Sequence, residues 1–213
     1  MTGQPDAMDI ITADRALTVV RAATIPDPAA LAQALSDGGI RAVELTFTTP
    51  DVLTHVAAAG GAGHLVGVGT VLTGDQAKQA IDAGARFLVT PGVRPDVAAV
   101  ASEFEIPVLI GALTPTEVQA AVDLGAAAVK IFPAKAFGPG YLKDLHGPYP
   151  QVPLIPSGGV NAGNAAAYLQ AGALAVTAGT DVVPPALVAA GSFDDIRARA
   201  AAFVAACNTP TAA

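Results

Sequence analysis

The sequence predicts an α/β protein, a single (β/α)8 TIM barrel over residues 1–213 with an additional helix ahead of the first strand. Three observations predict it. Short apolar runs alternate with alanine-rich amphipathic segments from Leu17 to the C-terminus, and the runs number eight. The runs are apolar almost throughout, as strands of a parallel sheet covered on both faces are. One junction also recurs: SDGGIRAVEL, DAGARFLV, DLGAAAVKI and QAGALAVTA each set a glycine between a helical segment and the next apolar run. Glycine there fits a left-handed helix C-cap, and the returning run fits the next strand of a strand-helix repeat.

In chain order, a helix precedes Leu17, and the strands read LTVVRA from Leu17, AVELTF from Ala42, LVGVGT from Leu65 and RFLVT from Arg86. PVLIG from Pro107, AAVKIF from Ala127, PLIPSG from Pro153 and ALAVTAG from Ala173 complete the eight. Between them stand helix-start signals: Asp27-Pro28, Pro50-Asp51, Thr73 to Asp75, Thr114-Pro115-Thr116-Glu117 and Asn161. Asp181 is likewise read as a helix-start residue, and a final helix runs from about Asp194 to Cys207. A doubly wound open sheet would use the same elements, but no GxGxxG turn follows the first strand.

A formal net charge of -7 argues against non-specific nucleic-acid binding, which needs clustered lysine and arginine. Polar residues interrupt every apolar stretch before membrane-spanning length, so no membrane association is expected. An apolar fraction of 52 % beside 14 % charged residues suggests that other subunits cover part of the surface. The single cysteine, Cys207, cannot form an internal disulfide, and the first residues show neither a basic region nor an apolar signal core, so cytoplasmic residence is expected.

Lys130 is the residue that most needs a chemical explanation. It lies inside the apolar run AAAVKIFP, whereas the other three lysines, Lys78, Lys135 and Lys143, lie in polar helical or loop contexts. Burial disfavours the charged form of an amine and makes it nucleophilic near neutral pH. The alternative is a lysine that buries its stem and snorkels to water. Strand alternation sets Ala42, Glu44 and Thr46 on one side of the second strand, and Ala128, Lys130 and Phe132 on one side of the sixth. Glu44 and Lys130 are therefore expected to point into the barrel, as a buried ion pair or as catalytic groups. Arg21, Thr70 and Thr90 fall at strand ends, on the face where barrel enzymes build their sites.

Two glycine-containing loops follow the last strands: Ser157, Gly158 and Gly159 after the seventh, Gly179 and Thr180 after the eighth. Loops at those positions commonly hold phosphate, because glycine lets backbone N–H groups approach an anion. Metal chemistry is not expected: His55, His64 and His146 are far apart, and no acids or histidines share ligand spacing. There is also no GxSxG elbow for a serine hydrolase.

Taken together, VRA at Val20, VELTFTTP at Val43, GVGTVLT at Gly67, FLVTPG at Phe87, VKIFPAKAFGPGYLK at Val129, IPSGGVN at Ile155 and TAGTD at Thr177 resemble the class I 2-keto-3-deoxy-6-phosphogluconate (KDPG) aldolases. That family is also described as 4-hydroxy-2-oxoglutarate aldolases. The resemblance implies a homotrimer of barrels acting on a phosphorylated 2-keto acid with no cofactor beyond a covalent lysine imine. Lys130 would form the Schiff base, Glu44 would move protons, Thr70 would bind the pyruvyl carboxylate and Phe132 would pack beside the imine. Thr90 and Pro91 of the FLVTPG run would belong to the substrate-binding set, and the Ser157–Gly159 and Gly179–Thr180 loops would hold the phosphate. One position departs: many members carry arginine where Thr48 stands, and Arg21 on the neighbouring strand could supply that charge. A galactonate-type substrate, or a phosphosugar lyase or isomerase without an imine, are the other readings; the latter leaves Lys130 unexplained, as does a purely structural scaffold.

Overall fold

The computed structural model describes residues 6–209. Helix α1 (Ala7–Asp14) comes first, its N-terminus capped by Asp6, which accepts the Met8 N–H at 2.8 Å. The strands are β1 (Ala16–Val20), β2 (Ala42–Thr46), β3 (Leu65–Gly69), β4 (Leu88–Val89), β5 (Val108–Ala112), β6 (Ala128–Ile131), β7 (Leu154–Pro156) and β8 (Val176–Ala178). Each is followed by a helix: α2 (Pro28–Asp37), α3 (Val52–Gly61), α4 (Gly74–Asp82), α5 (Pro95–Glu103), α6 (Pro115–Asp123), α7 (Gly140–His146), α8 (Ala165–Gln170) and α9 (Pro185–Ala189). Helix α10 (Phe193–Cys207) ends the fold.

All strand pairs are parallel, in the order β7-β6-β5-β4-β3-β2-β1-β8. The two end strands meet where the Leu174 N–H donates to the Leu154 carbonyl at 2.9 Å, which brings the sheet round into a barrel. Only two residues of the expected RFLVT strand have regular strand form. Its ladder nevertheless continues on both sides, through Arg86 N–H to the Val66 carbonyl and Thr90 N–H to the Leu109 carbonyl.

The helix signals act as expected at three starts. Asp27 accepts the Ala30 N–H, Thr73 accepts the Gln76 N–H, and Thr114 and Glu117 form a reciprocal capping box. The junction glycines Gly39, Gly84, Gly125 and Gly172 all have positive φ, between 78° and 103°, which explains why the motif repeats. Three expected helix-start residues behave differently. Asp51 precedes α3 but is itself left-handed, φ 53°, and its side chain caps nothing. Asn161 makes a turn by accepting the Gly163 N–H, and α8 begins only at Ala165. Asp181 uses its carboxylate on the Ala162 N–H at 2.9 Å, tying the loop after β8 to the loop after β7.

The core divides in two. Between the strands and the outer helices lies a continuous cluster that includes Val43, Leu45, Val68, Leu88, Ile110, Val129 and Ile131. Inside the barrel a separate cluster joins Leu17, Ala42, Leu65, Phe87, Leu109, Ala128 and Ile155 to Ala7, Ile10 and Ile11 of α1. Helix α1 therefore closes the end of the barrel where the strands begin. Its position is reinforced by Asp14, which accepts hydrogen bonds from the backbone and guanidinium of Arg41 at the start of β2. With that end filled by apolar side chains, the inward polar residues are left to the other end.

Candidate active site

At the C-terminal ends of the strands a cavity of about 590 Å³ opens. Alternation along β2 and β6 turns Glu44 and Lys130 into it, as the period-2 reading requires. Both are buried, Glu44 at 1 % exposure and Lys130 at 8 %. Lys130 Nζ lies 3.5 Å from Glu44 Oε1, a loose ion pair rather than a tight one. Glu44 Oε2 is buried with no hydrogen-bond partner among the described residues.

A buried carboxyl without full hydrogen bonding resists ionisation. Desolvation accordingly raises the Glu44 pKa above its ordinary value of 4.5, and the opposing charges of Lys130 and Arg21 offset only part of that rise. Beside the pair, the Phe132 ring sits with its centroid 5.9 Å from Lys130 Nζ, and the ring is 41 % exposed to the cavity mouth. Such a site can do two things at once: offer an amine to a carbonyl carbon, and hold a proton donor or acceptor within reach of the same atoms.

Of the residues singled out from sequence, Arg21, Thr70, Pro91, Phe132, Ser157, Gly158, Gly159, Gly179 and Thr180 line the same cavity as Glu44 and Lys130. Thr70 holds φ at 57°, an uncommon conformation for a β-branched residue. Gly158 and Gly159 both have φ 87°, and a Cβ on Gly158 would come within 3.2 Å of the Phe132 ring, so this loop packs directly on the aromatic wall. Hydrogen bonds from Ala134 N–H to the Ser157 carbonyl and from Lys135 N–H to the Gly158 carbonyl fix that contact.

Thr90 stands apart. It is fully buried, donates its hydroxyl proton to the Gly92 carbonyl at 2.7 Å and accepts the Gly111 N–H at 3.1 Å, so it braces the rim without lining the cavity. Thr48, where the resembled family often has arginine, is exposed and shares a 2.8 Å hydroxyl contact with Thr46. Val19, Val160, Asn161, Thr177 and Asp181 also line the cavity and were not picked out from sequence as site residues. Parity would have found two of them: Val19 shares its side with Arg21, and Thr177 with Ala175 of the interior cluster. Among the described residues, no group of three or more His, Cys, Asp or Glu side chains is placed to hold a metal ion, and no helix is long and apolar enough to cross a membrane.

Comparison with known proteins bears on this geometry directly. The family model for KDPG and KHG aldolases matches residues 8–199. A 2-dehydro-3-deoxy-phosphogluconate aldolase of Treponema pallidum is 37 % identical over 187 residues, covering 86 % of this chain and 89 % of its own. A probable 2-dehydro-3-deoxy-6-phosphogalactonate aldolase of Rhizobium meliloti is 34 % identical, covering 81 % of this chain and 82 % of its own. Among solved structures, a 4-hydroxy-2-oxoglutarate/2-dehydro-3-deoxyphosphogluconate aldolase from TTHB1 superposes with a TM-score of 0.86 at 33 % identity, covering 96 % of this chain and 100 % of the other. The KDPG aldolase of Legionella pneumophila, with pyruvate captured as a covalent carbinolamine, gives 0.83 at 29 % identity and 95 % and 98 % coverage. A buried lysine beside a buried carboxyl at the mouth of a (β/α)8 barrel, matched over nearly the whole chain, makes this protein a member of the KDPG and KHG aldolase family, class I carbon-carbon lyases.

Proposed function

We propose that this protein is a Schiff-base aldolase that reversibly cleaves 2-keto-3-deoxy-6-phosphogluconate to pyruvate and D-glyceraldehyde 3-phosphate, and that it also takes 4-hydroxy-2-oxoglutarate. The observation that carries the reading is the 3.5 Å approach of the Lys130 amine to the Glu44 carboxyl inside the cavity. The carbinolamine captured in the Legionella relative supports an amine-carbonyl adduct as the first step.

The Lys130 amine attacks the C2 ketone, and Glu44 in its acid form gives a proton to the departing hydroxyl, so water leaves and an iminium forms. Glu44, now a carboxylate, takes the proton of the C4 hydroxyl as the C3–C4 bond breaks. The electron pair of that bond moves to the iminium and yields an enamine, while C4 leaves as the aldehyde. Glu44 then returns the proton to C3, and water hydrolyses the pyruvyl iminium. A carboxyl whose pKa is raised by burial serves both directions of this shuttle.

Arg21 and Thr70 bind the pyruvyl carboxylate, Arg21 taking the part of the arginine replaced by Thr48. Pro91 and Phe132 wall the imine. Ser157, Gly158, Gly159, Gly179 and Thr180 receive the phosphate through backbone N–H groups and hydroxyls, with little help from a helix dipole, since α9 starts only at Pro185. A 2-keto-3-deoxy-6-phosphogalactonate substrate is the second reading, favoured by the identity to the Rhizobium relative. A homotrimer fits the exposed apolar side chains, such as Phe137 at 60 % and Phe104 at 42 %, and sedimentation velocity tests it. Cytoplasmic residence accords with metabolism of a phosphorylated keto acid.

The experiment is borohydride reduction in the presence of pyruvate, with peptide mapping by mass spectrometry. A pyruvyl adduct on the Lys130 peptide is the expected result; a folded protein with no adduct overturns the imine mechanism. Turnover assays with the gluconate and galactonate epimers then separate the two substrates.

A further inference from the structure

Strand β3 carries glycine at two inward positions, Gly67 and Gly69, and the second of these is tied to the reacting carboxyl. In the β2–β3 register Glu44 pairs with Gly67 and Thr46 with Gly69, so Gly69 is the diagonal neighbour of Glu44 on the same side of the sheet. A Cβ built on Gly69 would fall within the Glu44 carboxyl group, overlapping Oε1 and Cδ and lying 2.7 Å from Cγ. Gly69 has ordinary strand backbone with no positive φ, so its conformation is open to any L residue. Glycine is needed there for space and not for backbone freedom.

That space fixes where the carboxyl can be. With Oε1 resting on the Gly69 Cα, Glu44 reaches Lys130 Nζ at 3.5 Å and leaves Oε2 without a partner among the described residues, available to a reacting group. A side chain at position 69 would drive the carboxyl off this seat while leaving Lys130, three strands away, where it is. The neighbouring Gly67 does different work: a Cβ there would meet the Phe87 ring of the interior cluster.

We infer that Gly69 is a positioning residue of the reaction, its missing side chain forming the slot that seats the Glu44 carboxyl for proton transfer at the Lys130 imine. The inference rests on the aldolase reading above for its chemistry, though the slot itself does not. The test follows Gly69→Ala, Glu44→Gln and the double variant through two separable steps on pyruvate: imine formation by borohydride trapping, and proton transfer by exchange of the methyl hydrogens in deuterium oxide, read by NMR. Wild-type trapping decides the aldolase reading on its own.

The expected result is that G69A traps pyruvate on Lys130 while its exchange slows about 100-fold, as loss of a general acid-base predicts. Adding G69A to E44Q should then slow exchange no further. Exchange in G69A at the wild-type rate, or an equal further loss in the E44Q background, overturns the assignment. If G69A does not fold, thermal unfolding of Glu44→Ala and Glu44→Ala/Gly69→Ala decides the matter: a folded double variant with the melting temperature of Glu44→Ala supports the slot, and an unfolded one refutes it.

Discussion

Thr70→Gly should make the protein more stable and less active. Thr70 sits immediately after β3 with φ 57°, in the left-handed region. An L residue there loses about 1–2 kcal/mol to contact between Cβ and the following carbonyl, and a β-branched residue belongs at the upper end. Glycine removes that cost but gives the unfolded chain more freedom, which returns about 0.4–1 kcal/mol. The balance is a gain of roughly 1 kcal/mol, or about 2–4 °C in melting temperature for a chain of this size. If Thr70 donates to the substrate carboxylate, losing that bond costs about 1.5–3 kcal/mol, or roughly 10- to 100-fold in kcat/KM. Thermal unfolding by circular dichroism and steady-state cleavage assays on the same preparations read both effects. Thr70→Val is the control: it keeps the strain and loses the hydroxyl, so its activity should fall without the rise in melting temperature. A lower melting temperature for Thr70→Gly refutes the strain argument, and unimpaired cleavage removes Thr70 from the substrate site.

Other outcomes follow from the same geometry. Lys130→Ala should abolish the pyruvate adduct and cleavage together, whereas residual cleavage at more than about a thousandth of wild type would point to a non-covalent route. Arg21→Ala should raise KM for 2-keto acids by about 10-fold or more, measured on substrates with and without phosphate; an unchanged KM takes Arg21 out of carboxylate binding. A substrate lacking the phosphate should lose kcat as well as affinity, because remote binding orients the reacting bond, and equal turnover would dismiss the Ser157–Gly159 and Gly179–Thr180 loops as the anchor. Burial raises the Glu44 pKa above its ordinary 4.5, so the folded protein holds this proton more tightly than the unfolded chain does. The stabilising contribution is complete below the ordinary carboxylate pKa and is lost as pH rises through the higher folded value. The stability of Glu44→Gln relative to wild type should therefore increase as pH rises above the ordinary carboxylate range in chemical denaturation, and a constant difference would contradict the burial argument.

The barrel was legible because its signals are local. A glycine three or four residues before β2, β4, β6 and β8 and apolar runs at all eight strands are properties of neighbouring residues, and they located the strands and the end of the barrel that carries the polar groups. Alternation along β2 and β6 then placed Glu44 and Lys130 together although 86 residues separate them. What escaped depends on partners brought in by other strands. Thr90 has the position of a rim ligand, yet the nearby Gly92 carbonyl and the Gly111 N–H from β5 take up its hydroxyl. Asp181 resembles a cap, but the loop after β7 arrives with a free N–H at Ala162 and claims the carboxylate. Gly69 looks like any strand glycine until the diagonal neighbour on β2 is known. Sequence periodicity tells which way a side chain points, and only the assembled sheet tells what it meets.

Helix α1 turns the barrel into a vessel with one mouth, since Ala7, Ile10 and Ile11 fill the opposite opening. In the proposed reaction both fragments must use the same exit. The fragment attached to Lys130 lies below the one held at the lip by the two glycine loops, so release is last in, first out: the aldehyde clears the passage before pyruvate can follow. In the synthetic direction the same plumbing makes pyruvate the leading reactant, and an aldehyde that arrives early stands in its way.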